Sequence, residues 1–158
     1  ESPRRGYGFV SGFAFANDAR QDVCSGIAVA ARLAIADARL KLEQVEAIHA
    51  WGPGHQLIDA GEARSLIEVF GRRLAEMPVY SIKGSIGNAL GAAPAIQVGT
   101  SALAQFHGVL PPTVNWAFAD PSCPLNLSGR SRIVDHAVTI INAHGVGNVN
   151  SCLVLERC

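Results

Sequence analysis

The segment VYSIKGSIGNALGAAPAI, residues 79–96, joins a short strand-like run to an alanine-rich helix. The strand-like run ends at Lys83, and glycines, serines and Asn88 follow before the helical pattern begins. Loops at strand ends are common places for functional side chains. One charge and one amide at the mouth of a helix that is otherwise suited to packing raise a question: what do Lys83 and Asn88 face?

Working outward from this segment, hydrophobic periodicity predicts alternating strands and helices. The predicted strands cover residues 7–18, 45–51, 78–82, 136–145 and 150–157. The predicted helices cover residues 22–40, 59–71 and 88–108. The stretch 110–129 contains four prolines and is predicted to be a long ordered loop.

Local signals place the helix ends. Asp22 is a plausible N-cap for the first helix, and Gly71 is expected to end the second. Pro94 should either kink the third helix or mark its first turns.

The order β-α-β-α-β-α-β-β predicts an α/β fold with one mixed, mainly parallel, five-stranded sheet. The last two strands are joined by the glycine-containing turn GVGNV and are expected to form an antiparallel edge. The helix at 88–108 is small and apolar on nearly every face, which predicts burial all round. Sandwiching that helix between two sheets needs more chain than 158 residues supply. We treat residues 1–158 as a single domain.

Composition narrows the classes of function. The chain is 49% hydrophobic and only 16% charged, so a partner is expected to cover part of its surface. A net charge of +0 without a basic stripe argues against nucleic acid as a partner. No apolar run is long enough to cross a bilayer, and no signal-peptide pattern is present.

The cysteines and the N-terminus carry further expectations. Four cysteines without CxxC spacing favour a reduced, cytoplasmic setting. The opening ESPRRG lacks a start methionine, so the chain is expected to be a fragment, a processed half or one piece of a split protein. No histidine or cysteine spacing is typical of a metal site, and the glycines of KGSIGNALG lack the order of a phosphate-binding loop.

Three stretches resemble one family. SIKGSIGNALGAAPAI, GVLPPTVN and NAHGVGNVNSCLVLER are similar to the C-terminal half of the β-ketoacyl-acyl-carrier-protein synthases, the condensing enzymes of fatty-acid and polyketide assembly. The resemblance implies a thiolase-like fold of two similar β-α-β-α-β-α-β-β halves, with central helices stacked between two sheets. It also implies that the nucleophilic cysteine belongs to the N-terminal half, which this chain does not contain.

The resemblance points to active-site positions. The family's first catalytic histidine lies in a motif of the form NAHGTxT, and Trp51 takes its place in HAWGPGH. Lys83 matches the family lysine, and Asn88 takes the position of the second histidine. The aromatic gate of the last hairpin corresponds to AHGVGN, so His144 and Val146 stand where the family has aromatic residues.

The chemistry of condensation makes Trp51 the serious departure. Decarboxylating a malonyl thioester builds negative charge on the thioester oxygen, at which two hydrogen-bond donors must be aimed. Asn88 can donate, and one branch of condensing enzymes resembles this chain in having asparagine there. An indole N–H cannot relay a proton, and its ring should fill the cavity in which the thioester would lie.

Other polar residues have competing interpretations. His55 could swing into the site from the loop, or be solvated, and His49 lies deeper on the strand. Lys83 is either a solvated or salt-bridged strand end, or a buried charge below the pocket. The remaining histidines and all the cysteines are expected to have no site role; they are His107, His136, Cys24, Cys123, Cys152 and Cys158.

Three functional hypotheses remain open. The first is a non-decarboxylating ketosynthase-like subunit, similar to a chain-length factor, that forms a heterodimer with an active condensing enzyme. The second is the C-terminal half of a split acyltransferase whose cysteine comes from an N-terminal chain. The third is a structural scaffold that docks acyl carrier protein. Each implies acyl-phosphopantetheine substrates on carrier protein and no cofactor of its own.

Overall fold

The computed structural model describes residues 6–18 and 22–158. Its strands are β1 (Phe9–Asn17), β2 (Ala47–His49), β3 (Val79–Tyr80), β4 (Val109–Leu110), β5 (Arg132–Ile133), β6 (Val138–Gly145) and β7 (Val149–Glu156). Its α-helices are α1 (Ser25–Asp37), α2 (Gln56–Phe70), α3 (Lys83–Ile86) and α4 (Ala93–His107). Short 3₁₀ turns lie at Leu42–Gln44, Gly71–Ala75 and Leu90–Ala92.

The main sheet has five strands in the order β1-β7-β6-β2-β3. Strand β2 pairs in parallel with both β3 and β6, whereas β7 pairs antiparallel with β6 and β1. All strands but β7 therefore run in one direction, as the mainly parallel prediction requires. The predicted antiparallel pairing of the last two strands is confirmed by β6 and β7. Their predicted position at the edge is wrong, because β1 pairs along nearly all of β7 and takes the edge.

Helices cover both faces of this sheet. Side chains alternate along a strand, so neighbouring residues of β2 face opposite layers. Ile48 packs in the large core with α1 and α2, whereas Ala47 packs with Ala104 of α4. Strands β4 and β5 form a separate small antiparallel sheet that closes the proline-rich segment. Strand β2, which leads into Trp51, therefore lies between two helical layers.

Helix α4 begins later than predicted. The chain takes a positive φ of 72° at Gly87 and 50° at Leu90, which breaks the helical pattern before Ala93. Pro94 lies in the first turn, where its missing N–H costs nothing, so it marks the start of the helix instead of kinking it.

Only one face of α4 is buried within this chain. Its inward residues include Gln97, Ser101 and Gln105, which are fully buried. Ile96 and Leu103 on the outer face are 40% and 50% exposed. The burial all round that the sequence predicts for this helix is therefore not completed by the described residues.

The starts of α1 and α2 also differ from prediction. Asp22 does not cap α1 through its side chain; Cys24 precedes the helix with a φ of 70°. Helix α2 begins three residues earlier than expected, after His55. Its end at Gly71, which has a φ of 54°, is as predicted.

Candidate functional site

Lys83 faces the backbone of Trp51. Strands β2 and β3 run in parallel, so the residues after their carboxyl ends meet at one edge of the sheet. Lys83 Nζ donates to the carbonyl oxygen of Trp51 at 2.9 Å. Lys83 is only 6% exposed, which agrees with the second of its two interpretations, a buried charge below the pocket.

Glu62 on α2 holds the same loop from its other side. The backbone N–H groups of Trp51 and Gly52 donate to its two carboxylate oxygens, each at 2.9 Å. The side-chain amide of Asn142 on β6 donates to Glu62 Oε1 at 3.1 Å. We call Glu62, Lys83 and Asn142 the backbone clamp. Glu62 and Lys83 bond residues 51 and 52 directly, and Asn142 supports Glu62 from β6.

Burial governs the ionisation of the clamp. Glu62 is buried, which raises the pKa of its carboxyl, while the bonds from Gly52, Trp51 and Asn142 act in the opposite direction. Burial lowers the pKa of Lys83, and the nearby Glu62 charge opposes that shift. Both groups bond the backbone of Trp51, Glu62 at its N–H and Lys83 at its carbonyl oxygen, so the clamp positions Trp51.

A cleft of ≈ 550 Å³ brings together most of the residues that the resemblance singled out. Its walls come from Trp51, the segment 88–94 and the hairpin 143–149. Asn88, His144 and Val146 all line it. Three segments that are distant in sequence therefore share one opening beside α4.

The Trp51 ring occupies the inner wall of this cleft. It is 8% exposed and packs against Cys24, Ile27 and Ile58. Its other face stacks on the imidazole of His144, with ring centroids 4.8 Å apart and 30° between planes. The two rings together fill part of the cleft, at the position that the sequence resemblance assigns to the family's first histidine.

Asn88 is exposed and offers its amide to the cleft. Its Oδ1 accepts a hydrogen bond from the backbone N–H of Leu90 at 3.2 Å, which turns the chain toward α4. Because the oxygen is engaged, the NH₂ group is the side that remains for a ligand. Asn88 can therefore act as a donor to an acyl oxygen.

His144 has polar support that sequence reasoning missed. Its Nδ1 lies 2.8 Å from Asn150 Oδ1 and 4.0 Å from Asp18 Oδ2. The hairpin register places His144 directly opposite Asn150. The short GVGN turn was a sequence signal from which the pairing of His144 with Asn150 could have been predicted. No local sequence signal connects Asp18 to this hairpin. Glu62 was missed for the same reason.

The other histidines lie outside the cleft. His55 is exposed at the N-terminus of α2, away from the cleft walls. His49 is buried beneath α4, with its Nδ1 2.9 Å from Ser101 Oγ. Burial, aided by the charge on Lys83, lowers the pKa of His49 to about 3, so its ring is neutral at physiological pH. His136 is buried against Val134, and His107 is exposed.

A second cavity of ≈ 340 Å³ lies behind the clamp, lined in part by Asp59, Lys83 and Cys123. Burial raises the pKa of Cys123 to about 11 and that of Cys24 and Cys152 to about 12. These thiols are protonated at neutral pH and are poor nucleophiles. Within residues 6–18 and 22–158, no group of three acidic, histidine or cysteine side chains could hold a metal ion.

None of the helices in the described part of the chain is long and apolar enough to cross a membrane.

Curated relatives match most of the chain, and two of them serve as examples. The tetracenomycin polyketide synthase ketoacyl synthase alpha subunit of Streptomyces glaucescens is 34% identical over 83% of this chain and 31% of the relative. Nodulation protein E of Rhizobium meliloti is 33% identical over 81% of this chain and 32% of the relative. The chain thus spans about a third of the length of these relatives.

Solved structures share the whole fold. The ishigamide ketosynthase/chain length factor superposes with a TM-score of 0.90 at 30% identity, over 96% of this chain and 38% of that one. A β-ketoacyl synthase from Burkholderia phymatum superposes with a TM-score of 0.89 at 29% identity, over 96% of this chain and 38% of that one. The resemblance seen in the sequence and the thiolase-like fold are both confirmed. The profile of the β-ketoacyl synthase C-terminal domain matches residues 5–117, and the chain belongs to that family.

Proposed function

We propose that this chain is a ketosynthase-like subunit of polyketide or fatty-acid biosynthesis that does not decarboxylate malonyl thioesters itself. The observation that carries this proposal is Trp51, whose ring fills the first histidine position and stacks on His144. A stacked indole cannot accept the thioester at that position or relay a proton. The chain would then act as a chain-length factor does, by shaping the acyl pocket of an active partner.

The surface fits such a partnership. The outer face of α4 presents Ile96 and Leu103, and neighbouring β1 presents Phe13 and Phe15. An apolar surface of this kind, beside a cleft, is typical of a protein interface. We propose an active ketosynthase subunit or an N-terminal ketosynthase half as the partner on this surface. Acyl carrier protein would deliver the acyl groups as phosphopantetheine thioesters.

The setting follows from the same proposal. All four cysteines are free in the structure, as is usual in a reducing compartment, and on this ground we place the protein in the cytoplasm. The proposed role requires no cofactor in this chain.

The test is release of carbon dioxide from malonyl carrier protein by the purified protein. We expect no release above a no-protein control, while an active β-ketoacyl synthase assayed in parallel releases it. Release that is abolished by Asn88→Ala would overturn the proposal, because that dependence would place decarboxylation in this cleft.

A second candidate is the C-terminal half of a split acyltransferase. Asn88 favours it, since its free NH₂ group can meet an acyl oxygen in the cleft. The identity of the chain that copurifies separates the two candidates. A partner N-terminal half with a cysteine in a small-residue strand–helix turn supports acyl transfer; glutamine or another residue there supports the non-catalytic role.

A further inference from the structure

Asn150 holds the imidazole of His144 in one orientation. The Asn150 Nδ2 atom donates to Asp18 Oδ1 at 2.6 Å, and the backbone N–H of Gly26 donates to the same oxygen at 3.0 Å. Asp18 is almost fully buried, with 2% of its side chain exposed. Because Asp18 Oδ1 serves as an acceptor, the Asn150 atom facing it must be nitrogen, which turns Asn150 Oδ1 toward His144.

This arrangement decides the tautomer of His144. An amide oxygen only accepts, so the neighbouring His144 Nδ1 at 2.8 Å must carry the proton. The neutral ring then has its lone pair on Nε2. Among the described residues no group bonds His144 Nε2. The Nε2 atoms of His49 and His136 are buried without a partner, but His144 Nε2 is not one of these buried atoms. The His144 lone pair is therefore accessible in the cleft that the ring lines.

The other polar side chains on these walls have the opposite character. Trp51 has an indole N–H, and Asn88 presents its NH₂ group. The Asn88 donor suits an acyl oxygen, whereas a lone pair at Nε2 suits a ligand that brings its own donor. A plain acyl chain offers no such donor. A hydroxyl on the acyl chain does.

We propose that His144 is a specificity-determining residue that accepts a hydrogen bond from a hydroxyl group on the acyl chain. The cleft would then prefer hydroxyacyl groups to unsubstituted acyl groups. This inference rests on the proposed function, because it takes the cleft to be an acyl site. Asn150 and Asp18 are positioning residues that act through the His144 tautomer.

The first experiment measures that tautomer without any ligand. Nitrogen NMR of [¹⁵N]histidine-labelled protein, at a pH where the ring is neutral, should show a protonated Nδ1 and an unprotonated Nε2 for His144. Asn150→Ala should remove the preference for that tautomer. An Nε2–H tautomer in the unmodified protein would overturn the inference and leave the acyl cleft unaffected.

The second experiment measures selectivity in the native assembly, with whichever chain copurifies. The probes are pantetheine conjugates of butyrate and 3-hydroxybutyrate in which a methylene group replaces the thioester sulfur, so that neither probe gains an N–H donor beside the acyl carbonyl. We expect the hydroxylated probe to bind about fivefold more tightly, which is the size of one net neutral hydrogen bond. His144→Phe keeps a ring against Trp51 and should lose the preference, so that it binds both probes equally.

The outcomes separate the inference from the function on which it rests. Equal binding of both probes by the unmodified protein overturns the inference while the acyl cleft stands. Binding of neither probe overturns both. Retention of the fivefold preference in His144→Phe overturns the role of His144 alone.

Discussion

Trp51 owes its position to its backbone more than to its side chain. Glu62 receives its N–H and Lys83 donates to its C=O, so residue 51 is fixed before any ligand arrives. The indole N–H itself has no partner among the described residues, and the ring contributes packing. The family motifs predicted the positions of Trp51, Lys83 and Asn88. The partners of those residues lie far off in sequence and came only from the structure.

Shortening Trp51 tests whether the ring serves packing alone. Trp51→Ala should lower the free energy of unfolding by about 3–5 kcal/mol, as other large-to-small core changes do. Trp51→Phe should lower it far less, because a ring remains and no hydrogen bond is lost. Trp51→His should also be costly, since it leaves most of the space empty and a polar ring to satisfy. Denaturant unfolding of the three variants measures these differences.

A ligand titration on Trp51→Phe separates packing from binding. If the indole N–H contacted an acyl thioester, this variant would keep its stability and lose affinity for a non-hydrolysable acyl-pantetheine by more than about tenfold. We expect no such loss, and observing one would show a working acyl site at Trp51.

His49 should make the stability of the fold depend on pH. Its folded pKa of about 3 lies below the ordinary 6.5, so its contribution is present above pH 6.5 and is lost as pH falls toward 3. Between pH 7 and pH 5 the unmodified protein should lose about 2 kcal/mol more than His49→Asn does. Denaturant titrations at both pH values measure the difference.

At the scale of elements, close approach between β1 and α1 sets the packing of the edge strand. The periodicity of apolar residues predicted both elements, because a long alternating or helical pattern is a strong signal. The strand that pairs with β1 and the exact ends of β1 and α1 were harder to predict. Nothing in the local sequence of residues 7–18 indicates that β1 lies beside β7. Gly12 shows how tight the contact is, since a Cβ there would lie 2.3 Å from the carbonyl oxygen of Ala34.

Gly12→Ala should therefore push α1 away from the sheet. The nearest atoms are backbone atoms of Ala34 and Ala38, which cannot move aside as a side chain could. We expect a loss of about 1–3 kcal/mol in unfolding free energy, the usual cost of overpacking. An unchanged free energy of unfolding in Gly12→Ala would contradict this account of β1–α1 packing.

At the scale of the whole molecule, the two sides of the sheet are unequal. On one side, Ala14 and Ala16 of β1 pack into the core beneath α1. On the other, Phe13 and Phe15 remain 59% and 63% exposed beside α4. The sequence predicted this imbalance through the low charged fraction and the apolar helix, since both imply a covering layer that 158 residues do not provide. The identity of that layer is not encoded in any local pattern.

We predict that the chain is not a free monomer and that the outer face of α4 mediates its association. Leu103→Glu should raise the dissociation constant of the assembly at least tenfold, about 1.4 kcal/mol, because association would bury a carboxylate among apolar groups. The matched control is Leu57→Glu on α2, where the native leucine is 70% exposed on the opposite side of the sheet. It should leave association unchanged. Sedimentation velocity across a concentration series measures both variants. A stable, well-folded monomer of the unmodified protein would refute the prediction, and equal weakening by both variants would move the interface away from α4.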